Sequence, residues 1–140
     1  MLRRIVFVAH GIVTLAAAVV LVVAPGLIPS TVGIVLPPGG ELLAYLLAGC
    51  EFGIAVISLM AATLTDGLAI HVIAAGFAAL HLLTGILEVV ALAGGAAPLL
   101  WGNVVVRVIA TVVFAVIAFR PPRPDADPDG GVSTEAEAAA

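Results

Sequence analysis

Four apolar stretches, each long enough to cross a bilayer as a helix, occupy about residues 5–23, 41–63, 68–93 and 99–119. Of 140 residues, 63% are hydrophobic and only 10% charged. A soluble domain of this size cannot hide so much apolar surface behind so few charges. In lipid, a helix satisfies its own backbone polar groups. The expected fold is therefore all-α, an integral membrane antiparallel four-helix bundle.

The segments between the spans punctuate this pattern. Met1-Leu2-Arg3-Arg4 looks like the start of a cleaved leader, but the apolar run behind it is about 19 residues long and closes without an Ala-x-Ala site. That length exceeds the roughly 7–15 residues of a leader's apolar core, so the segment reads as a retained first span. Pro25, Pro29, Pro37, Pro38, Gly39 and Gly40 mark a loop whose Leu27, Ile28, Val32 and Ile34 suit an interfacial position. Thr65-Asp66-Gly67 turns the chain into the third span, with Asp66 as its N-cap. Gly94-Gly95-Ala96-Ala97-Pro98 makes a tight hairpin, and Trp101 beyond it fits an interfacial anchor. Residues 1–120 thus form a four-span domain. Residues 121–140 form a Pro-, Asp- and Ala-rich acidic tail, expected to be disordered and cytoplasmic.

Charge gives the orientation. All five basic residues are Arg; Arg3, Arg4, Arg120 and Arg123 flank the first and last spans, and the loops carry none. With four spans, both termini are expected on the cytoplasmic side of the inner membrane. The net charge of −4 comes largely from the tail. No basic patch offers itself to nucleic acid.

Ionisable residues nevertheless sit inside the spans: His10, Glu51, His71, His81, Glu88 and Arg107. A charge at the centre of a membrane helix costs roughly 2.5–3.5 kcal/mol on insertion scales, so these groups are expected to face one another or water. At about 1.5 Å per residue, Glu51 lies about 15 Å, Arg107 about 12 Å and His81 about 18 Å from the outer face, a common level. In the third span His71, Ala74, Ala78, His81, Gly85 and Glu88 recur at heptad-like spacing. The second span offers Ala44, Ala48, Glu51, Ala55, Ser58 and Ala62 on one face. The fourth offers Asn103, Arg107, Ala110, Thr111 and Ala118, and the first His10, Thr14, Ala17 and Ala18. Small and polar residues of this kind mark helix–helix interfaces in membranes. The result is a polar seam of Glu51, His81 and Arg107, with Glu88 and Asn103 beside it, and with His10 and His71 at its inner mouth.

Two uses of the seam follow from its chemistry. Glu51 and Arg107 can form a charge-assisted pair, hydrogen-bonded to His81, that fixes helix register. Alternatively, the same groups line a pocket or proton path. A metal centre is not expected: no His pair stands at helical spacing, and His81 and Glu88 lie about 10.5 Å apart along their helix. The single cysteine, Cys50, has no base beside it in the pattern and reads as a small apolar side chain. Gly49-x-x-x-Gly53 fits either a homodimer contact or an intramolecular neighbour, the second being the commoner use in a four-helix chain. Arg120-Pro-Pro-Arg123-Pro is a candidate extended ligand for a cytoplasmic partner.

The order of these features resembles the small four-helix bacterial membrane proteins grouped around DoxX. An Arg-flanked first helix runs into Ala24-Pro25-x-x-Ile28-Pro29-x-x-x-Gly33, the second helix carries Gly49-x-x-x-Gly53-Ile54, and a glycine loop joins the last two. The resemblance covers about residues 3 to 120. It departs where Glu41 stands in place of the Arg those families often carry near the start of the second helix. It implies membrane-associated roles, some linked to redox or quinone chemistry, and no catalytic residue is carried over.

The residues themselves point to a non-enzymatic membrane protein that needs no cofactor. Its seam is expected to bind a small ligand or a partner helix. The alternatives are conduction of protons or small solutes by a homo-oligomer, and a membrane subunit of a quinone-linked oxidoreductase. The expected partners are the lipid bilayer, further copies of the chain, or a membrane or cytoplasmic protein.

Overall fold

The structure, a computed structural model, describes residues 1–120, so the expected acidic tail lies outside the described residues. It contains five helices: α1 (Leu2–Val23), α2 (Leu27–Thr31), α3 (Glu41–Ala61), α4 (Gly67–Ala93) and α5 (Leu100–Ala118). There is no strand among the described residues. All but α2 are long and apolar enough to cross a membrane. Their outer surfaces are lined by large aliphatic side chains, such as Val105, Val106, Val108, Ile109 and Val112 on α5, all exposed.

The ends of these helices have local causes. Ala24, which ends α1 at φ −139° and ψ 71°, precedes Pro25, and the residue before a proline is biased away from helical geometry. Asp66 caps α4 by accepting hydrogen bonds from the backbone N–H of Leu68 (2.8 Å) and Ala69 (3.4 Å). At the far end of α4, Gly95 takes φ +96°, the Ala96 N–H donates to the Ala91 carbonyl and the Gly95 N–H to that of Leu92. This is a Schellman closure, and its left-handed residue favours glycine.

The segment 24–40 differs from the plain loop read from the sequence. It holds α2, one short helix that accepts Pro29 in its first turn, where a missing N–H breaks no intrahelical bond. Ser30 and Thr31 return their hydroxyls to the carbonyls of Leu27 and Ile28. Gly33, at φ +78°, closes α2 with the same motif that closes α4. The proline spacing hid this helix, because prolines argue for a loop unless they fall in a first turn.

The helices associate closely in two pairs, α1 with α3 and α4 with α5. Glycines permit this approach. A Cβ on Gly11 would stand 2.8 Å from Leu59 Cγ and 3.2 Å from the Ala55 carbonyl, and one on Gly85 3.3 Å from Arg107 Cβ. By contrast, Gly49 and Gly53 have nothing within 4 Å of that position. The sequence reading favoured an internal neighbour for this motif over a second copy; the structure differs, since no internal neighbour occupies these positions among the described residues. The two pairs meet through larger side chains. Phe7, Phe77 and Phe114 pack with ring centroids 5.2–6.3 Å apart, over Ile70, Ala74 and Ala78. A smaller cluster of Leu21, Ala44 and Ala48 holds the other end of the α1–α3 pair.

Candidate functional site: a polar seam between two helix pairs

The small and polar stripes read from the sequence turn inward. On α3, Ala44, Ala48, Ala55 and Ser58 are buried and Glu51 is half-buried. On α4, Ala74, Ala78, His81 and Gly85 are buried, with His71 and Glu88 half-buried. Asn103, Arg107, Ala110 and Thr111 of α5 are all half-buried. The hydroxyls of Thr14 and Thr111 do not join the seam. They donate to the carbonyls of His10 and Arg107, one turn back on their own helices.

Six side chains form a continuous polar chain across both pairs. Ser58 Oγ lies 2.7 Å from His10 Nδ1, and His10 Nε2 lies 3.0 Å from His81 Nε2. His81 Nδ1 lies 3.1 Å from Arg107 Nη1. Arg107 Nε stands 3.5 Å from Glu88 Oε1, which also accepts a 2.6 Å hydrogen bond from the Asn103 amide. Aromatic rings enclose the two imidazoles. His81 stacks on Phe114 at 5.9 Å and 11°, and His10 lies 4.8 Å from Phe77 and 4.9 Å from Phe114.

The direction of these bonds follows from Arg107. A guanidinium only donates, so His81 Nδ1 must accept and the His81 proton sits on Nε2. That N–H points at His10 Nε2, which must accept in turn, leaving the His10 proton on Nδ1 to be donated to Ser58 Oγ. One arginine thereby sets the tautomer of two histidines. A further proton on either ring would oppose two N–H groups across one of these contacts.

Glu88 and Arg107 are incompletely satisfied. Among the described residues, Glu88 Oε2 and Arg107 Nε are buried without a hydrogen-bond partner. Glu51 is a third case: it is half-buried and within electrostatic reach of Arg107, yet no hydrogen bond or ion pair to it is found among the described residues. The acidic groups of the seam are therefore Glu51 and Glu88, set against the one guanidinium of Arg107.

Two placements differ from the sequence reading. The ion pair of Arg107 is with Glu88 and not with Glu51. Spans two and four are remote in the chain, whereas α4 and α5 are joined by a tight turn that brings Glu88, Asn103 and Arg107 together. His10 belongs to the centre of the seam, not to its inner mouth. The helix begins at Leu2, so His10 lies eight residues, about 12 Å, inside it. Ser58 was legible as a stripe residue but not as a partner of His10, because the register between α1 and α3 is not written in either helix alone. His71 lies in the wall of an open cleft lined also by Arg3, Arg4 and Arg120. Among the described residues, no three His, Cys, Asp or Glu side chains group so as to hold a metal ion.

Comparison of the chain with protein-family models, with curated proteins and with solved structures found no match in any of the three.

Proposed function

We propose that this chain is a non-enzymatic, multi-pass inner-membrane protein whose seam takes a small ligand at Glu51, one that carries a positive or hydrogen-bond-donating group. Four membrane-length helices with aliphatic outer surfaces support insertion. The order of contacts supports an antiparallel bundle: His10 meets Ser58, while Leu21 packs with Ala44 and Ala48. Arg3, Arg4 and Arg120 line one end of the molecule, which supports a cytoplasmic position for both termini. A DoxX-like affiliation stays a proposal carried by the short motifs alone.

The observation that carries the ligand reading is the unpartnered Glu51. The bridged part of the seam, from Ser58 to Asn103, holds the two helix pairs in register. Glu51 is left over, an acid in an apolar span with no polar partner among the described residues. Such a group is costly in hydrocarbon unless something satisfies it. A cationic or donor-bearing ligand beside Arg107 and Glu88 supplies what the chain does not.

Conduction along the seam is the weaker alternative. A guanidinium does not release its proton in a protein, so the path from Ser58 through His10 and His81 stops at Arg107. The quinone-linked alternative rests on the resemblance alone.

Trp101, the single tryptophan, stands two residues from Asn103 and reports on this region. Its fluorescence in the purified, detergent-solubilised chain is followed during titration with ethylammonium, tetramethylammonium and spermidine. A saturable change with at least one of them is expected for wild type, and none for Glu51→Gln. Identical responses from both chains overturn the reading. A co-purifying membrane protein lost in Glu51→Gln would replace the small ligand with a partner helix.

A further inference from the structure

One end of the molecule gathers the start of α1, the turn between α3 and α4, and the end of α5 around an open cleft of about 1610 Å³. Arg3, Arg4 and Arg120 stand at this cleft, with His71 half-buried in its wall. Leu68 and Ile117 give it an apolar side. Three guanidinium groups from opposite ends of the described chain thus converge where four long helices begin or end.

Arg3 is held across this space. Its Nη2 donates to the Leu64 carbonyl at 3.3 Å, which occupies one of its five N–H donors and leaves the rest of the fork available. Among the described residues the one ion pair is Arg107–Glu88, far from this end in every helix involved. Asp66, in the adjoining turn, uses its carboxylate to cap α4. Among the described residues the cleft therefore sets three guanidinium groups against the single carboxylate of Asp66 in the adjoining turn, a net positive charge beside an apolar wall.

We infer that this cleft binds the phosphate-bearing headgroup of an anionic phospholipid, with an acyl chain against the Leu68 and Ile117 side. Guanidinium forks match phosphate oxygens with two parallel hydrogen bonds. Basic pockets between helix ends lie at the depth of lipid headgroups and attract anionic lipid. The inference rests on the membrane reading above but not on the seam, since no residue is shared between the two sites.

The test reconstitutes the full chain in bilayers of phosphatidylcholine with added phosphatidylglycerol and counts retained lipid by native mass spectrometry. Wild type is expected to keep phosphatidylglycerol at about one per chain, enriched on the order of tenfold over phosphatidylcholine. The triple variant Arg3→Gln, Arg4→Gln, Arg120→Gln is expected to lose that enrichment. Gly67→Trp probes the cleft without changing charge, because a Cβ at Gly67 meets nothing within 4 Å; it too is expected to lose the lipid. Equal retention of both lipids by wild type overturns the inference. So does enrichment that survives Gly67→Trp, which would reflect diffuse surface charge, or complete displacement by inorganic phosphate, which would make this a free-phosphate site. Release of the chain from cell membranes by alkaline carbonate would instead overturn the membrane reading itself, a result distinct from equal lipid retention.

Discussion

Arg107 has a position no other described residue shares: it donates to His81, pairs with Glu88 and lies within electrostatic reach of Glu51. Its loss and the loss of Glu88 should therefore differ. Arg107→Leu removes the one guanidinium that faces Glu88 and leaves His81 Nδ1 without its donor; breaking a fully buried pair costs about 3–5 kcal/mol, and this partly exposed one is expected to cost less. Glu88→Gln leaves Glu51 as a counter-charge and keeps an acceptor for Asn103, so its cost is expected to be smaller. Thermal unfolding of both variants in the same detergent checks the order; an equal or reversed order shows that Glu51 does not back up the pair. The same Arg107→Leu chain releases the constraint on His81. Nitrogen-15 NMR should find one ring tautomer for each of His10 and His81 in wild type and mixed tautomers in the variant.

At the scale of elements, the contacts that bring helices together are made by glycines outside the motif that looks most like a helix-packing signal. Gly11 faces Leu59 and the Ala55 carbonyl at distances a Cβ cannot share without movement, while Gly49 faces open space. Gly11→Ala is accordingly expected to destabilise the α1–α3 pair by about 1–3 kcal/mol through overpacking. Gly49→Ala should be neutral, or stabilising by up to about 1 kcal/mol from helix propensity. Unfolding of the monomeric protein in detergent compares the two directly. If Gly49→Ala is the more damaging, α3 packs by its glycine motif after all.

The whole molecule is two closely packed helix pairs joined by rings: three phenylalanines and two histidines fill the space between α1 and the α4–α5 pair. Its two ends differ in chemistry. One carries Arg3, Arg4 and Arg120, whereas the other is built from α2 and the turn after α4, where Gly33 approaches the Ala97 Cβ. This asymmetry predicts the topology. In a Cys50→Ser background, Gly39→Cys should react with a membrane-impermeant maleimide in intact cells, and Thr65→Cys only after permeabilisation. The opposite pattern inverts the orientation, and labelling of both sites in intact cells removes the four-span arrangement.

The hydropathy pattern by itself determined that residues 1–120 form four long apolar helices, and the spacing of small and polar residues determined which face of each turns inward. Both are local properties, set by backbone geometry and by the cost of exposing a charge to hydrocarbon, so one strand of sequence contains them. Asp66 as a cap was legible for the same reason. What only the tertiary structure decided is which inward groups touch. Glu51, Glu88 and Arg107 were all visible as interior charges, yet the choice of Glu88 as partner depends on the rotation and offset of α4 against α5. Placing His10 against His81 depends on how the α1–α3 pair meets the α4–α5 pair. Those offsets are fixed by the sum of many weak packing contacts between helices, and no single helix records them.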